Sequence, residues 1–259
     1  MKEKKVTYKH SGFLGDLLYN MVSMKQVWIN TGRKAVIYMW LNRDHYTYEG
    51  VAHPYGGVGF NKETLDWSRS FIEYQPYVER IEEWTGQPID FDLDLIRGDS
   101  RRTGMPYGDI RRWPMYVYPE LYASISDPWL QVEPILFDGP LVQRSLRYQN
   151  PFISYHFLGR YDRVSMVGLL EEYDAMKHMV PSVSYVKTGS LMEYAGLIAG
   201  SNLLIGNQSS GMAIAEGLGH PRVLEVFQNA PNVTMATPNG MDCYSQIAME
   251  YFVKLRLNA

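Results

Sequence analysis

The chain has 259 residues, 46% of them apolar and 20% charged, with a formal net charge of −3. That is the composition of a soluble globular protein of one large domain or two ordinary ones, and it carries no general field toward nucleic acid. The single cysteine, Cys243, excludes an internal disulfide and a cysteine-based zinc site, and it favours a reducing, cytoplasmic setting.

The opening run MKEKKVTYKHSG is charged and has no apolar stretch behind it, so no signal peptide is expected. Nor does any segment approach the roughly 20 apolar residues of a membrane span. KVTYKH reads as a strand and SGFLGD as a glycine turn. Leu17, Leu18, Met21, Met24, Val27 and Trp28 then recur at helical spacing, and Asn30, Thr31 and Gly32 end the helix. AVIYMW is a second strand. After a Gly-rich loop, a helical pattern runs from Lys62 to Trp84, with a break at Pro76 and an end at Gly86. PIDFDLDLIR alternates as a strand. Residues 97–130 show no clear period beyond a short helix near PELYASI.

The second half is more regular. PLVQRS, RVSMVG, SVSYV, NLLIG and RVLEV read as strands, with helices near Leu169–His178, Leu191–Gly200, Ser210–Leu218 and Tyr244–Leu255. Strands alternating with helices of this length predict βαβ units and a parallel sheet. The expected organisation is two α/β halves meeting near residues 125–138, with Pro128 and Pro134 in the crossing.

Open parallel sheets bind ligands beyond the carboxyl ends of their strands. GNQSSG, residues 206–211, lies at such an end and opens a helix. Helix-start amides lack intrahelical partners and carry partial positive charge, so Ser209, Ser210 and Gly211 fit a diphosphate cradle. The alternative is that Ser209 only caps the helix. The turn holding Gly12, Gly15 and Asp16 repeats the arrangement; Asp16 is either an ordinary helix-start acid or a general base. Arg144, Ser145 and Arg147 follow the first strand of the second half, where an arginine can grip phosphate or make a surface ion pair. Ser190 and Glu193 form a capping box, leaving Lys187 and Thr188 at a pocket edge. Asp90, Asp92 and Asp94 share one strand face, as a metal-binding acid pair or as a solvated edge. Arg97, Arg101, Arg102, Arg111 and Arg112 form a patch for an acidic acceptor, a phosphorylated sugar or a nucleic-acid backbone, or one merely solvated. No catalytic triad, Walker loop or histidine metal motif is present.

Two runs, SGFLGDLLYNMVSMK and GSLMEYAGLIAGSNLLIGNQSSGMAIAEGLGHP, resemble the N-terminal GD turn and the C-terminal polar turn with its Ala-rich helix in the heptosyltransferase-like glycosyltransferases of family nine. The resemblance implies a compact two-Rossmann B fold: an acceptor domain over 1–130 and a nucleotide-sugar donor domain over 131–259, facing across a cleft. It implies Asp16 as general base in the turn of Gly12 and Gly15 on the acceptor side, where Arg101 and Arg102 are expected from the arginine-rich segment. It places donor phosphates on Gln208, Ser209, Ser210 and Gly211. From their own positions Arg144, Ser145, Arg147, Lys187 and Glu225 are expected around them, with Glu225 meeting a ribose hydroxyl. Gln208 and Ser209 stand where that family usually has Asp then Thr, and Val22 stands for its helix proline.

The expected function is therefore an inverting, metal-independent transfer of a sugar from a nucleotide-sugar to a hydroxyl acceptor, without cofactor or nucleic-acid partner. The alternatives are a non-catalytic nucleotide-sugar or glycan receptor and a sugar-nucleotide epimerase. A nucleic-acid module would rest on the arginine patch alone.

Overall fold

The computed structural model describes residues 5–44, 57–98 and 108–258. Two compact units divide the chain. The first holds the chain to Ile125 together with Trp129–Gln131, and the second holds Ser126–Pro128 and Val132–Ala259.

In the first unit, β1 (Val6–His10), β2 (Ala35–Met39), β3 (Val78–Glu83) and β4 (Phe91–Asp92) form one parallel sheet in the order β3-β2-β1-β4. Helix α1 (Leu14–Thr31) follows β1 and buries Leu17, Leu18, Met21 and Met24 of the expected stripe. It also buries Tyr19, Asn20, Val22 and Ser23 and leaves Val27 and Trp28 half-buried, so over 17–24 it is enclosed on every side rather than on one face. Gly32 ends it with φ 69°, a left-handed conformation that glycine adopts without strain. Residues 129–131 belong here because Trp129 Nε1 donates to the Leu18 carbonyl (2.8 Å) and the Tyr77 hydroxyl donates to the Trp129 carbonyl (2.8 Å).

Three expectations in this unit need correction. The pattern over Lys62–Trp84 is not one helix. Helix α2 (Lys62–Glu73) stops short of Pro76, and the remainder is β3. The misreading has a physical source: the register between β2 and β3 shifts at Ala35/Val36, so Arg80 rather than Glu79 pairs with Val36. That irregularity buries Val78 and Ile81, three residues apart, and mimics helical spacing. PIDFDLDLIR pairs as a strand only at Phe91–Asp92, and a single helical turn, α3 (Leu95–Gly98), follows. Around PELYASI there is only a 3-10 turn, Pro119–Leu121, behind a short helix α4 (Trp113–Val117).

In the second unit, β5 (Pro140–Gln143), β6 (Ser165–Met166), β7 (Ser184–Tyr185), β8 (Leu203–Asn207), β9 (Arg222–Glu225) and β10 (Gly240–Cys243) form a parallel sheet in the order β10-β9-β8-β5-β6-β7. Helices α5 (Leu170–Met179), α6 (Leu191–Gly200), α7 (Ser210–Leu218) and α8 (Gln246–Leu257) connect or follow the strands. β10 carries no sequence signal of its own: only Cys243 of its residues is buried. The chain winds outward from β5 to β7, then returns to the other side of β5 with β8. That order is the doubly wound one, and its direction reverses between β5 and β8. In the first unit the reversal falls between β1 and β4.

Among the described residues no helix is long and apolar enough to cross a membrane.

A buried polar cluster centred on Arg222 and Glu216 ties α7, β9 and the loop before β10 together in the second unit. Arg222 and Glu216 are both fully buried and paired. Arg222 also donates to the His220, Thr237 and Pro238 carbonyls, and Glu216 accepts from the Ala236 (2.8 Å) and Thr237 (3.0 Å) amides. Beside them, His220 Nε2 lies 3.1 Å from the Ser201 hydroxyl. Burial, aided by the charge of Arg222, pushes the His220 pKa down to about 4. An unfolded histidine titrates near ~6.5. The folded state therefore resists a proton that the unfolded chain accepts, and stability falls as pH drops from ~6.5 toward 4. The expected loss at pH 5 is about 2 kcal/mol. Melting curves from pH 7 to pH 5 check this: His220→Gln should flatten that part of the profile.

Candidate functional site

The most developed site is built at the reversal between β5 and β8. Asn207, the last residue of β8, is fully buried and ties the two strand ends together. Its Oδ1 accepts from the Ser145 amide (2.9 Å), and its Nδ2 donates to the Ser145 (2.9 Å) and Arg147 (2.6 Å) carbonyls. Sequence reasoning passed over Asn207 as a site residue, although a lone amide ending an apolar strand was the available signal. Glu172, also buried, holds the same loop from below. It accepts from the Leu169 amide (3.0 Å), and the polar groups of Ser145 and Leu146 nearby favour its charged form. Burial pushes its carboxyl pKa up, against those bonds and the charge of Arg147.

Against this loop stands the start of α7. Ser209 occupies the N-cap position, but its hydroxyl donates back to the Asn207 carbonyl (3.2 Å) and makes no cap. By contrast Asn61, Ser190 and Ser245 each cap their helices by side chain. The first α7 amides thus meet no capping group, and Ser209 and Ser210 remain half-buried beside them. A Cβ on Gly211 would overlap the Tyr194 hydroxyl and come within 3.3 Å of Gln143 Oε1. The glycine is therefore required by packing, and Gln143, buried at the end of β5, is a site residue that the sequence did not reveal.

Gln208 turns away from the helix start. It is buried and donates to the Ala230 carbonyl (2.9 Å) and Asn232 Oδ1 (3.0 Å), while accepting from the Phe227 amide (2.7 Å). Its role in the structure is to hold the loop after β9, not to present a polar group at the α7 start. Arg144 and Glu225 also correct the expectation. Both are buried, and Arg144 Nε and Nη2 donate to the two Glu225 oxygens (2.7 and 2.8 Å). Glu225 further accepts from the Asn150 amide (2.6 Å), and Arg144 stacks over Tyr155. Their charges are spent on each other, which leaves no exposed face for a ribose or a phosphate. Arg147 is only half-buried and lies over the Tyr148 ring, next to the reversal point. Lys187 is exposed just after β7, two strands beyond β5, or about 10 Å away. Glu193 is structural, accepting from the Gly189 amide (2.7 Å).

In the first unit, Asp16 lies half-buried in the first turn of α1, which starts at Leu14 rather than at Asp16. The N-cap residue is Phe13, which has no polar side chain, so this helix start also lacks a side-chain cap. Gly12 is buried in the turn before it, and Gly15 is half-buried in the helix. Residue 59 must be glycine because a Cβ there would come within 2.6 Å of the Ser11 carbonyl and 2.8 Å of the Gly12 carbonyl. The three aspartates do not form a metal cluster. Asp90 accepts from Thr7 (2.8 and 3.0 Å), Asp92 from Lys9 (2.7 Å), and Asp94 from the Ser11 amide (2.8 Å), so they lock β4 to β1. Among the described residues, no group of three His, Cys, Asp or Glu side chains is placed to hold a metal ion. Arg101 and Arg102 lie outside the described residues. Arg111 is fully buried against Asp109 and so does not belong to a surface patch.

Each unit therefore presents an uncapped helix start at the reversal point of its own parallel sheet. No protein-family model and no curated protein matches the chain in sequence. Solved structures do match. A family 9 glycosyl transferase from Veillonella parvula DSM 2008 aligns over 100% of this chain and 99% of its own, with 12% identity and a TM-score of 0.63. The chain shares its fold with solved family-nine glycosyltransferases. E. coli heptosyltransferase WaaC with ADP aligns over 98% of both chains, with 14% identity and a TM-score of 0.54. The iron-containing dodecameric glycosyltransferase TibC from enterotoxigenic E. coli H10407 matches 93% of this chain and 63% of its own, at 14% identity and a TM-score of 0.57. The architecture is the α/β, GT-B-like one of two Rossmann-type units.

Proposed function

We propose that the protein is a cytoplasmic glycosyltransferase that moves a sugar from a nucleotide-sugar donor to a hydroxyl acceptor, with inversion and without a metal. The observation that carries this reading is the uncapped α7 start at the β5–β8 reversal, flanked by half-buried Ser209, Ser210 and Arg147. Helix-start amides and an arginine suit a diphosphate, which bears its charge on several oxygens at once. Asp16 in the first unit is the proposed base, on the acceptor side with Gly12 and Gly15. In the reaction Asp16 takes the proton of the acceptor hydroxyl as its oxygen bonds to the anomeric carbon. The bond from that carbon to the diphosphate oxygen breaks, and the nucleotide leaves with the electron pair. Fixed amide dipoles aimed at the departing charge contribute several kcal/mol when water is excluded.

E. coli heptosyltransferase WaaC was solved with ADP and with ADP-2-deoxy-2-fluoro heptose, so adenosine-linked sugars head the donors to test. The test is a thermal-shift screen of nucleotide sugars and free nucleoside diphosphates. A ligand at 100 times its Kd stabilises the native state by about 2.7 kcal/mol, so a true donor raises Tm by several degrees. No shift with any member contradicts the reading. A shift without turnover supports the receptor alternative.

A further inference from the structure

We propose that the solvent-facing side of α8 is the surface through which two copies of this chain pair. Helix α8 buries Met249 and Val253 against its own sheet, as a surface helix should. It also carries a second apolar stripe on the outside. Ile247 (83% exposed), Tyr251 (60%) and Leu255 (46%) follow one another at intervals of four residues, which places them on one face. Tyr244 and Phe152 extend the stripe at its N-terminal end, and both are more than half exposed. The loop that carries Phe152 is bonded to this end of the helix: Asn150 Nδ2 donates to the Tyr244 carbonyl (3.4 Å) and the Ser154 amide donates to Gln246 Oε1 (2.7 Å).

The extent of the stripe argues for a macromolecular partner. Five large side chains at this exposure offer on the order of 600 Å², most of the ~800 Å² that each partner contributes to a standard interface. Charge decides which partner. Lys254 is exposed beside Leu255 and makes no ion pair among the described residues. Glu250, one turn earlier, keeps a third of its side chain in solvent while contacting Arg160. In an antiparallel pairing about a two-fold axis at Tyr251, Ile247 of one copy faces Leu255 of the other. Helical geometry then puts Lys254 on the same flank as Glu250 of the second copy, offset by about 3 Å along the axis. The pairing occurs twice by symmetry. A parallel two-fold pairing would put Lys254 and the second copy's Glu250 on opposite flanks, so it forgoes this charge match. A lipid surface fits less well, because interfacial helices are rich in Lys and Arg on the polar face, whereas Glu250 borders this stripe and the chain is net negative.

Sedimentation velocity of the full chain from about 1 to 100 µM, concentrations that bracket a weak-to-moderate dimer, should show a species of twice the 29.9 kDa chain mass. Ile247→Glu combined with Tyr251→Glu should leave only monomer with Tm unchanged. Lys254→Glu should raise the dimer Kd by about three- to tenfold, and adding Glu250→Lys to it should restore most of the affinity. A wild-type chain that stays monomeric at the highest concentration overturns the proposal, and so does a dimer that survives the Ile247/Tyr251 double change. A monomer that pellets with phosphatidylcholine–phosphatidylglycerol vesicles through Ile247 also overturns it, in favour of a lipid surface.

Discussion

Asp16→Asn is expected to lower kcat by about 10²- to 10⁴-fold while leaving donor affinity unchanged. Asn keeps the shape and most hydrogen-bonding capacity of the side chain but cannot accept the acceptor's proton. The structural cost is small and separable. Asp16 stands in the first turn of α1, where a negative charge complements the helix dipole by about 0.3–1 kcal/mol. A modest fall in Tm with retained donor-induced stabilisation would therefore accompany the kinetic loss. Steady-state turnover with the donor found by thermal shift, alongside calorimetric donor affinity, separates the two effects. Unchanged kcat would remove Asp16 from the chemistry, and lost donor binding would mean that the change acts through folding.

Glu216→Ala is expected to destabilise the second unit by about 3–5 kcal/mol, the cost of breaking a buried ion pair. The value is large because the change strands the fully buried Arg222 and leaves the Ala236 and Thr237 amides without their acceptor. Against a domain stability of about 5–15 kcal/mol, this is enough to unfold a sizeable share of the protein on warming. Arg222→Ala should cost a similar amount. The double replacement should cost less than the sum, because the second change removes a charge that the first left unpaired. Urea titrations of the three variants give the coupling directly. Additive losses would mean that the pair contributes little as a pair.

Much of the framework was legible because periodicity and punctuation agreed. The turn into α1 and its glycine stop were readable, as were α6 and α7 to the residue. Where the sequence misled, a tertiary term had overridden a local one. Val78 and Ile81 look helical because a strand irregularity changes which residues point inward. Arg144 and Glu225 look like ligand groups at strand ends, yet they lie 81 residues apart in sequence and meet only after the sheet forms. The Arg222–Glu216 pair was hinted at by a lone acid in an Ala-rich helix and a lone arginine opening a strand, but only the fold brings them together.

The polar turn at 207–211 is the clearest case of a site partly read. Of the two readings of Ser209, the structure removes the simple helix cap, because its hydroxyl donates to the Asn207 carbonyl instead. The reasons for its other members are different. Asn207 welds two strand ends, Gln208 secures the loop after β9, and Gly211 makes room for Tyr194. Gln208 therefore has a structural occupation in this chain.

The central claim is that the α7 start receives the donor diphosphate. Amide chemical shifts followed during titration with the stabilising nucleotide sugar, or with its free nucleoside diphosphate, test it most directly. The largest changes are expected at Ser210, Gly211 and Met212, with a second group at Ser145–Arg147, because anions perturb the amides they contact. Saturable binding that leaves those amides unmoved, with its changes elsewhere, would contradict the account.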